Sequence, residues 1–311
     1  MVSEIGFGAW GIGGRTAGAT SYGTTDDGVS RAALAAALDH GITFFDTSNV
    51  YGDGHSEALI GEVFASRRDK VVIATKAGLR NFRDPADFSA PALRDSLTRS
   101  LRRLRTDYVD ILQLHNPTEA AFGCASEIRD CLEAMKSEGL IRAFGSSLKA
   151  PDSGIAAMDE LGAATLQVNL NMLDPRAIDS GLLAVTAQRG VGIVARTPLC
   201  FGFLSGKIDE TTAFGEDDHR SRWPRDQLIR WSRAAKSIFS RLRCPENQSP
   251  GDMALRFCLS FPEVSTVIPG MMTPQEVVSN AAVSDYGGLN SHDIDIVADV
   301  NKDMAKPTAG P

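Results

Sequence analysis

GFGAWGIGGRTAGATSYGTT, residues 6–25, is the stretch on which the fold turns. Its first six residues, Gly6-Phe7-Gly8-Ala9-Trp10-Gly11, satisfy the GxGxxG spacing of a dinucleotide-binding turn in a doubly wound sheet. That turn requires its third glycine to open a helix whose N-terminus faces the pyrophosphate. Here Gly11 is followed by a run of Gly, Ser and Thr too poor in helix formers to wind. The spacing is therefore coincidental, and the region reads as a strand, EIGFGAW (4–10), running into a loop.

Outward from this strand, short β-branched runs recur: FFDTS (44–48), VVIATK (71–76), YVDILQLH (108–115), IRAFGSS (141–147), TLQVNLN (165–171), VGIVART (191–197) and STVIPG (265–270). Helix-period segments lie between them, among them Asp26–His40, Ser56–Phe64, Ala90–Leu104, Ser126–Ser137 and Gly181–Arg189. Such alternation predicts a parallel sheet. Eight strand-helix units in about 250 residues fit a closed (β/α)8 TIM barrel, an α/β fold, better than an open sheet, and a barrel puts its chemistry at the C-terminal ends of its strands. The long interval from Pro198 to Val264, with a polar loop (Asp209–Arg225) and two helices (Asp226–Leu242, Gly251–Phe261), reads as an elaborated loop of one barrel spanning residues 1–311. The terminal AKPTAGP suggests fraying over 304–311.

Composition narrows the function classes. With 32 Lys and Arg against 39 Asp and Glu the net charge is −7, and no basic stripe could track a phosphate backbone, so nucleic acid is not expected as a partner. No apolar run approaches the ~20 residues of a membrane helix, and the N-terminus lacks a charged-then-apolar signal segment, which together point to a cytoplasmic protein without a membrane partner. The five cysteines are scattered and free of CxxC pairs, as expected of reduced thiols. The cluster FGEDDHR (214–220) lacks metal-ligand spacing and reads as a solvated loop with local salt bridges, so no metal is expected. Oligomeric state leaves no mark on the sequence.

Four polar residues fall at strand C-termini, where barrel geometry aims them at one pocket: Asp46 and Tyr51 after the second strand, Lys76 ending the third, His115 ending the fourth. Singly, each has a structural explanation: a turn former, a loop aromatic, a snorkelling lysine, a core imidazole. Together they make a chemical unit. A phenol ionises near pH 10, so tyrosine works as an acid or base near neutrality only when a cation favours its ionised form. Lys76 could supply that cation, and Asp46 could hold it.

At this point the chain resembles the aldo-keto reductase family. The resemblance is carried by FFDTSNVYGDGHSE (44–57), VVIATKAG (71–78), VDILQLHNP (109–117), GSS (145–147), LQVNLN (166–171), VARTPLCFGFLSGK (194–207) and VIPG (267–270) with Asn280 downstream. It implies a (β/α)8 barrel that binds NADP(H) or NAD(H) without a Rossmann domain and acts on a small carbonyl compound or sugar. Tyr51 then resembles the proton donor, Lys76 and Asp46 its ion pair, and His115 the residue that orients the carbonyl. Ser146 and Gln167 resemble the holders of the nicotinamide carboxamide, and Pro198, Leu199, Gly202, Leu204, Ser205, Gly206 and Lys207 the pyrophosphate loop. Gly8, Trp10, Asp46, Arg196 and Gly270 are implied cofactor neighbours as well.

The adenosine end departs from the family's pattern. Met272, Glu276 and Ser279 stand where basic or polar residues are common, and only Asn280 matches. A carboxylate there can accept from a free ribose hydroxyl but repels a 2′-phosphate, which implies a slight lean to NAD(H). The chain also starts almost on its first strand, without the hairpin that usually plugs the barrel bottom, which raises the expectation of an open bottom. Trp10, Tyr22, Asn49, Phe82, Asn116 and Trp223 are candidate substrate contacts. The competing reading is a cofactor-sensing regulatory subunit resembling the potassium-channel β subunits; a non-redox barrel is disfavoured by the pyrophosphate loop.

Overall fold

The computed structural model describes residues 2–16 and 20–305. Eight strands, β1 (Phe7–Gly8), β2 (Phe44–Asp46), β3 (Val72–Ala77), β4 (Val109–His115), β5 (Ile141–Ser147), β6 (Thr165–Asn169), β7 (Gly192–Arg196) and β8 (Val264–Ile268), pair in chain order, each parallel to the next. The circle closes through parallel bridges Ile5–Val267 and Gly8–Gly270, with Gly6 N donating to Val267 O (2.8 Å) and Gly8 N to Pro269 O (2.9 Å). This is the (β/α)8 barrel expected. Its first strand is shorter than EIGFGAW (4–10): Trp10 turns into a 3-10 helix, Gly11–Gly13, and ends the pairing.

The helices start where side chains can satisfy the free N–H groups of their first turns. Asp26 accepts from Val29 N (2.8 Å) ahead of Asp27–Asp39. Capping boxes begin Pro250–Leu259, through Ser249 and Asp252, and Pro274–Ala281, through Thr273 and Glu276. The long interval after β7 holds the two expected helices, observed at Arg225–Arg241 and Pro250–Leu259. Of the tail expected to fray, Met304 and Ala305 belong to the last helix, Ser291–Ala305, and the remainder lies outside the described residues. Among the described residues no helix is long and apolar enough to cross a membrane.

Side chains alternate between two faces of each strand, and residues paired across neighbouring parallel strands share a face. The outward-facing set, including Phe7, Phe45, Ile73, Leu112, Leu114, Leu166 and Ile193, packs beneath the helices. Burying each such side chain contributes about 1.5–3 kcal/mol relative to exposure. Inside the barrel, Phe44, Ala74, Val194 and Ile268 form the lower layer, and Val2 packs against them with Val72 and Ile111. The bottom that the short N-terminus led us to expect open thus has an apolar residue seated on its lowest layer.

The same N-terminal end is held by charge. Asp110, almost fully buried, accepts from Arg68 Nη2 (2.6 Å), Arg142 Nη1 (2.8 Å) and the backbone N–H of Ile73 (2.9 Å). The two guanidinium carbons lie 4.1 Å and 4.3 Å from the Tyr108 ring centroid, so the cluster ties the starts of β3, β4 and β5 together.

Candidate active site

Strand register assembles the chemistry. Asp46 pairs with Ala74, Lys76 with Gln113, Gln113 with Gly145, His115 with Ser147 and Ser147 with Gln167. Period-2 alternation places Ala74 with Lys76 and Gln113 with His115, so all the polar members of this set face the barrel interior near its C-terminal mouth. Asp46 is the hub. Its Oδ2 accepts from Lys76 Nζ at 2.7 Å, and its Oδ1 from Gln167 Nε2 at 2.6 Å and Gln113 Nε2 at 3.2 Å. Lys76 also donates to Thr47 O (2.7 Å).

Tyr51 reaches this hub from the loop after β2, where it begins a 3-10 turn, Tyr51–Gly54. The turn leans on the 3-10 helix after β1 so closely that a Cβ on Gly52, at φ +61°, would meet the carbonyl oxygen of Gly13 at 2.0 Å. Only glycine fits that approach. The Lys76 ammonium lies 4.8 Å from the Tyr51 ring centroid, and the rings of His115 and Trp10 are each 6.2 Å from it. The four residues singled out in the sequence are thus brought together.

Their charges differ from the simplest expectation. Burial pushes the Tyr51 phenol above its ordinary value, and the Lys76 ammonium opposes that rise without cancelling it. The phenol is therefore protonated at neutral pH and ready to donate. Burial alone would lower the Lys76 ammonium, but the Asp46 carboxylate outweighs it and holds the group above its usual value. His115 is driven well below the usual histidine range, first by burial and then by Lys76, Arg196 and Lys149, so its imidazole is neutral. Its Nδ1 stands 3.2 Å from Ser48 Oγ.

The carboxamide-side assignment needs a correction. Ser147, not Ser146, faces the interior: it pairs with His115 and Gln167, and its Oγ donates to Gln167 Oε1 at 3.0 Å. Ser146 pairs with Leu114 and Leu166, which belong to the outer face, and its buried Oγ finds no partner. A one-residue shift along a strand moves a side chain to the opposite face. Arg196, at the end of β7, donates from Nη2 to Leu148 O (2.8 Å) and reaches Ser147 Oγ from Nη1 at 3.5 Å, while its buried Nε finds no acceptor.

After β7 the chain folds through the 3-10 segment Cys200–Ser205, with Gly202 at φ +96° and Gly206 at φ +77°. Ser205 Oγ donates to Gly202 O (2.6 Å) and accepts from Lys207 N (3.2 Å), which fixes this turn beside the mouth. Pro198 and Leu199 lead into it, and Leu204 is buried beneath it. Across β8, the backbone of Gly8 meets Pro269, a Cβ on Gly270 would meet nothing within 4 Å, and Asn280 lies half-buried in the helix Pro274–Ala281. Glu276 is held as a cap: its Oε2 accepts from Met272 N (2.7 Å) and Thr273 N (3.3 Å).

The substrate candidates separate. Trp10, Tyr22 and Trp223 converge on His219, whose ring centroid is 4.8, 4.8 and 5.2 Å from theirs, and Phe201 completes this aromatic wall. The segment expected to be a solvated loop therefore includes a buried part. Asp218 pairs with Ser21 as a parallel bridge and holds Arg220 at 2.6 Å, and His219 Nδ1 lies 3.1 Å from Ser21 O, so the loop clamps onto the one after β1. Phe82 stands 6.1 Å from His115, and Asn116 follows it directly at φ +53°. The Asn49 amide donates to Leu79 O (2.7 Å), and Asn49 lines a cavity of about 470 Å3 beside the loops that follow β2 and β3, together with Asp53, Arg80, Asp87 and Arg103. Among the described residues, no group of three or more His, Cys, Asp or Glu side chains could hold a metal ion.

With this geometry in view, comparison with known proteins decides the family. The Aldo/keto reductase family profile matches residues 4–302. The chain belongs to the aldo/keto reductase family. It is 28% identical to aldo-keto reductase YhdN of Bacillus subtilis (strain 168), over 99% of this chain and 93% of that protein. The solved glycerol dehydrogenase AKR11B4 from Gluconobacter oxydans superposes with a TM-score of 0.78 at 28% identity, covering 100% of this chain and 94% of the other. An aldo/keto reductase from Klebsiella pneumoniae, solved in complex with NADP and acetate, superposes with a TM-score of 0.70 at 26% identity over 100% and 94% of the two chains. The protein is accordingly an NAD(P)-linked oxidoreductase of a family that acts on small carbonyl substrates.

The mouth fits the nicotinamide end of such a cofactor. The Arg196 Nε is a buried donor without an acceptor, and Ser147 and Gln167 supply a hydroxyl and a primary amide beside it. These are the groups a ring carboxamide can bond.

Four residues of this site escaped the sequence reading. Gln113 carries a signal that could have found it, since it lies two residues before His115 on one strand and must share its face. The same alternation argument separates Ser147 from Ser146. Ser48 and His219 carry none, because their places depend on how loops fold back.

Proposed function

We propose that the protein interconverts an aldehyde, ketone or sugar carbonyl with its alcohol, with Tyr51 as the proton donor in the reducing direction. The observation that carries this reading is the Lys76–Asp46 pair, joined at 2.7 Å in a fully buried setting and set directly beneath the Tyr51 ring. Bound dihydronicotinamide supplies the hydride. The protonated Tyr51 and the neutral His115 offer two donors to a carbonyl oxygen between them, His115 through Nε2–H in the tautomer whose Nδ1 accepts from Ser48 Oγ. As negative charge develops on that oxygen, Tyr51 passes its proton to it, and the adjacent Lys76 ammonium stabilises the phenolate left behind. Asp46, fixed by Gln113 and Gln167, keeps the ammonium in position.

For the dinucleotide we favour NAD(H). The segment from Gly270 to Asn280 contains no lysine or arginine. The start of its helix could bind a phosphate through free N–H groups, but the Glu276 carboxylate already occupies those of Met272 and Thr273. A 2′-phosphate brought there would meet a negative charge.

A screen of NADH and NADPH oxidation with aldehydes, quinones and keto sugars, and of NAD+ and NADP+ reduction with aldoses and polyols, tests the reading. Turnover is expected with at least one carbonyl class. Tyr51→Phe should cut it about 10²–10⁴-fold while leaving cofactor affinity within a few-fold of wild type. A Tyr51→Phe protein with near wild-type turnover would sink the assignment. Tight cofactor binding with no turnover across the screen would favour the regulatory alternative instead, and a large preference for NADPH in fluorescence titrations would overturn the choice of NAD(H).

A further inference from the structure

Among the described residues, Arg196 is a largely buried cation at the end of β7 that no carboxylate pairs, unlike Lys76 beside it. Lys76 has Asp46 at 2.7 Å. The carboxylate of Asp174, on the loop after β6, is taken at 2.7 Å by both Nε and Nη2 of Arg176. Among the described residues, no carboxylate comes within 4 Å of Arg196, whose contacts are a backbone carbonyl, a serine hydroxyl and an empty position at Nε. The side chain sits on the inner face of β7, since its strand partners are Asn169 and Ile268, and it ends the polar chain Lys76–Asp46–Gln167–Ser147.

An unmatched guanidinium in a half-buried site is unfavourable by itself, and burial accordingly lowers its affinity for the proton. The groups facing it make the local balance plain. Asp46 and Asp174 favour its charge from a distance and Arg176 opposes it, while Arg196 in turn joins Lys76 and Lys149 in keeping His115 neutral. Whatever binds between Ser147, Gln167 and His115 therefore enters a field with excess positive charge.

We propose that Arg196 selects the redox state of the bound cofactor, favouring the neutral dihydronicotinamide over the positively charged oxidised ring. This rests on the reading of Ser147 and Gln167 as neighbours of the nicotinamide. The two forms of the cofactor present the same carboxamide and the same pyrophosphate, and they differ in the ring charge that Arg196 faces. Coulomb repulsion between like charges a few ångströms apart in a partly buried site is strong enough to separate the two affinities by an order of magnitude or more. Tighter binding of the reduced form raises the potential of the bound couple, so the site fills with dihydronicotinamide and releases the oxidised form readily, while the driving force for hydride transfer from the bound cofactor falls by the same amount.

The test is a set of dissociation constants, read by fluorescence or calorimetry with no carbonyl substrate present. For whichever dinucleotide binds, the oxidised and reduced forms are titrated into wild type, Arg196→Gln and Arg196→Lys. Wild type should bind the reduced form at least tenfold more tightly, equivalent to about +30 mV on the bound couple. Arg196→Gln should lower that ratio about tenfold, chiefly by tightening the oxidised form, and Arg196→Lys should retain most of it. An unchanged ratio in Arg196→Gln, with both forms still bound, overturns the proposal and leaves the cofactor site standing. Should that variant not fold, the wild-type ratio decides: equal affinities, or tighter binding of the oxidised form, overturn it. If wild type binds neither form, the oxidoreductase reading fails and this proposal falls with it.

Discussion

Asp110, near the start of β4, and Asp46, at the end of β2, are both buried carboxylates that accept three hydrogen bonds at opposite ends of the barrel. Asp110 faces two arginines. The Arg68 side chain is only 11% exposed and also donates to two backbone carbonyls, Val71 O at 2.8 Å and Tyr108 O at 3.2 Å, while the Arg142 side chain remains 64% exposed. The charge there is surrounded and partly in water, so its work is to tie strands. Asp46 faces a single cation that is wholly buried, and its other donors are two amides. A second cation, Arg196, stands nearby without a carboxylate. The difference matches the division of labour in barrels, where the N-terminal face carries stability and the C-terminal face carries chemistry.

The sharpest way to break the comparison is to break the charge pairing at each end. Lys76→Met should abolish the support for Tyr51, lowering kcat/KM by about 10³-fold or more in steady-state assays. It should also destabilise the fold by about 3–5 kcal/mol in denaturant titrations, because Asp46 is left buried with only amide donors. Asp110→Ala acts at the other end and should separate the two readouts. The expected loss is about 3 kcal/mol of stability, toward the low side because Arg68 keeps its carbonyl acceptors and Arg142 can turn to solvent. Its kcat/KM should stay within about twofold of wild type, since no contact of the cluster reaches the mouth. A tenfold loss of activity in Asp110→Ala would erase the distinction drawn between the ends.

How much of this was legible beforehand follows the same divide between local pattern and folded-back loop. The runs FFDTS, VVIATK and YVDILQLH announced β2, β3 and β4, because a buried parallel strand is written as a short β-branched run. The ends of those strands then placed Asp46, Lys76 and His115 with no knowledge of contacts. The strand period joins Ser147, not Ser146, to His115 and Gln167, a distinction already present in the order of residues along β5. The wall around His219 is different. It exists because residues near 21 and 218 bridge across nearly two hundred positions, and FGEDDHR shows only its charge, not that partner. The departure at Glu276 was visible as a residue type, but its commitment to the helix cap appears only when Thr273 and Met272 are seen donating and accepting around it.

A smaller effect, at the C-terminal end, is read by pH. His115 is held well below the ordinary histidine value of about 6.5, with burial the leading cause and Lys76, Arg196 and Lys149 adding to it. His219 is lowered as well, again first by burial. In the unfolded chain both return to ordinary behaviour. Below about pH 6.5 the unfolded state therefore takes up protons that the folded state refuses, so stability is complete above that pH and falls as the solution is acidified. Each such group contributes at most about 1.4 kcal/mol per pH unit in that window. Thermal unfolding between pH 7.5 and 5 should then show a shallower fall in Tm for His115→Asn than for wild type, with the two converging at the alkaline end. The remaining slope belongs in part to His219. Identical slopes for the two proteins would mean that folded His115 takes up its proton as readily as the unfolded residue does, and the claim that its surroundings hold it neutral on acidification would have to be abandoned.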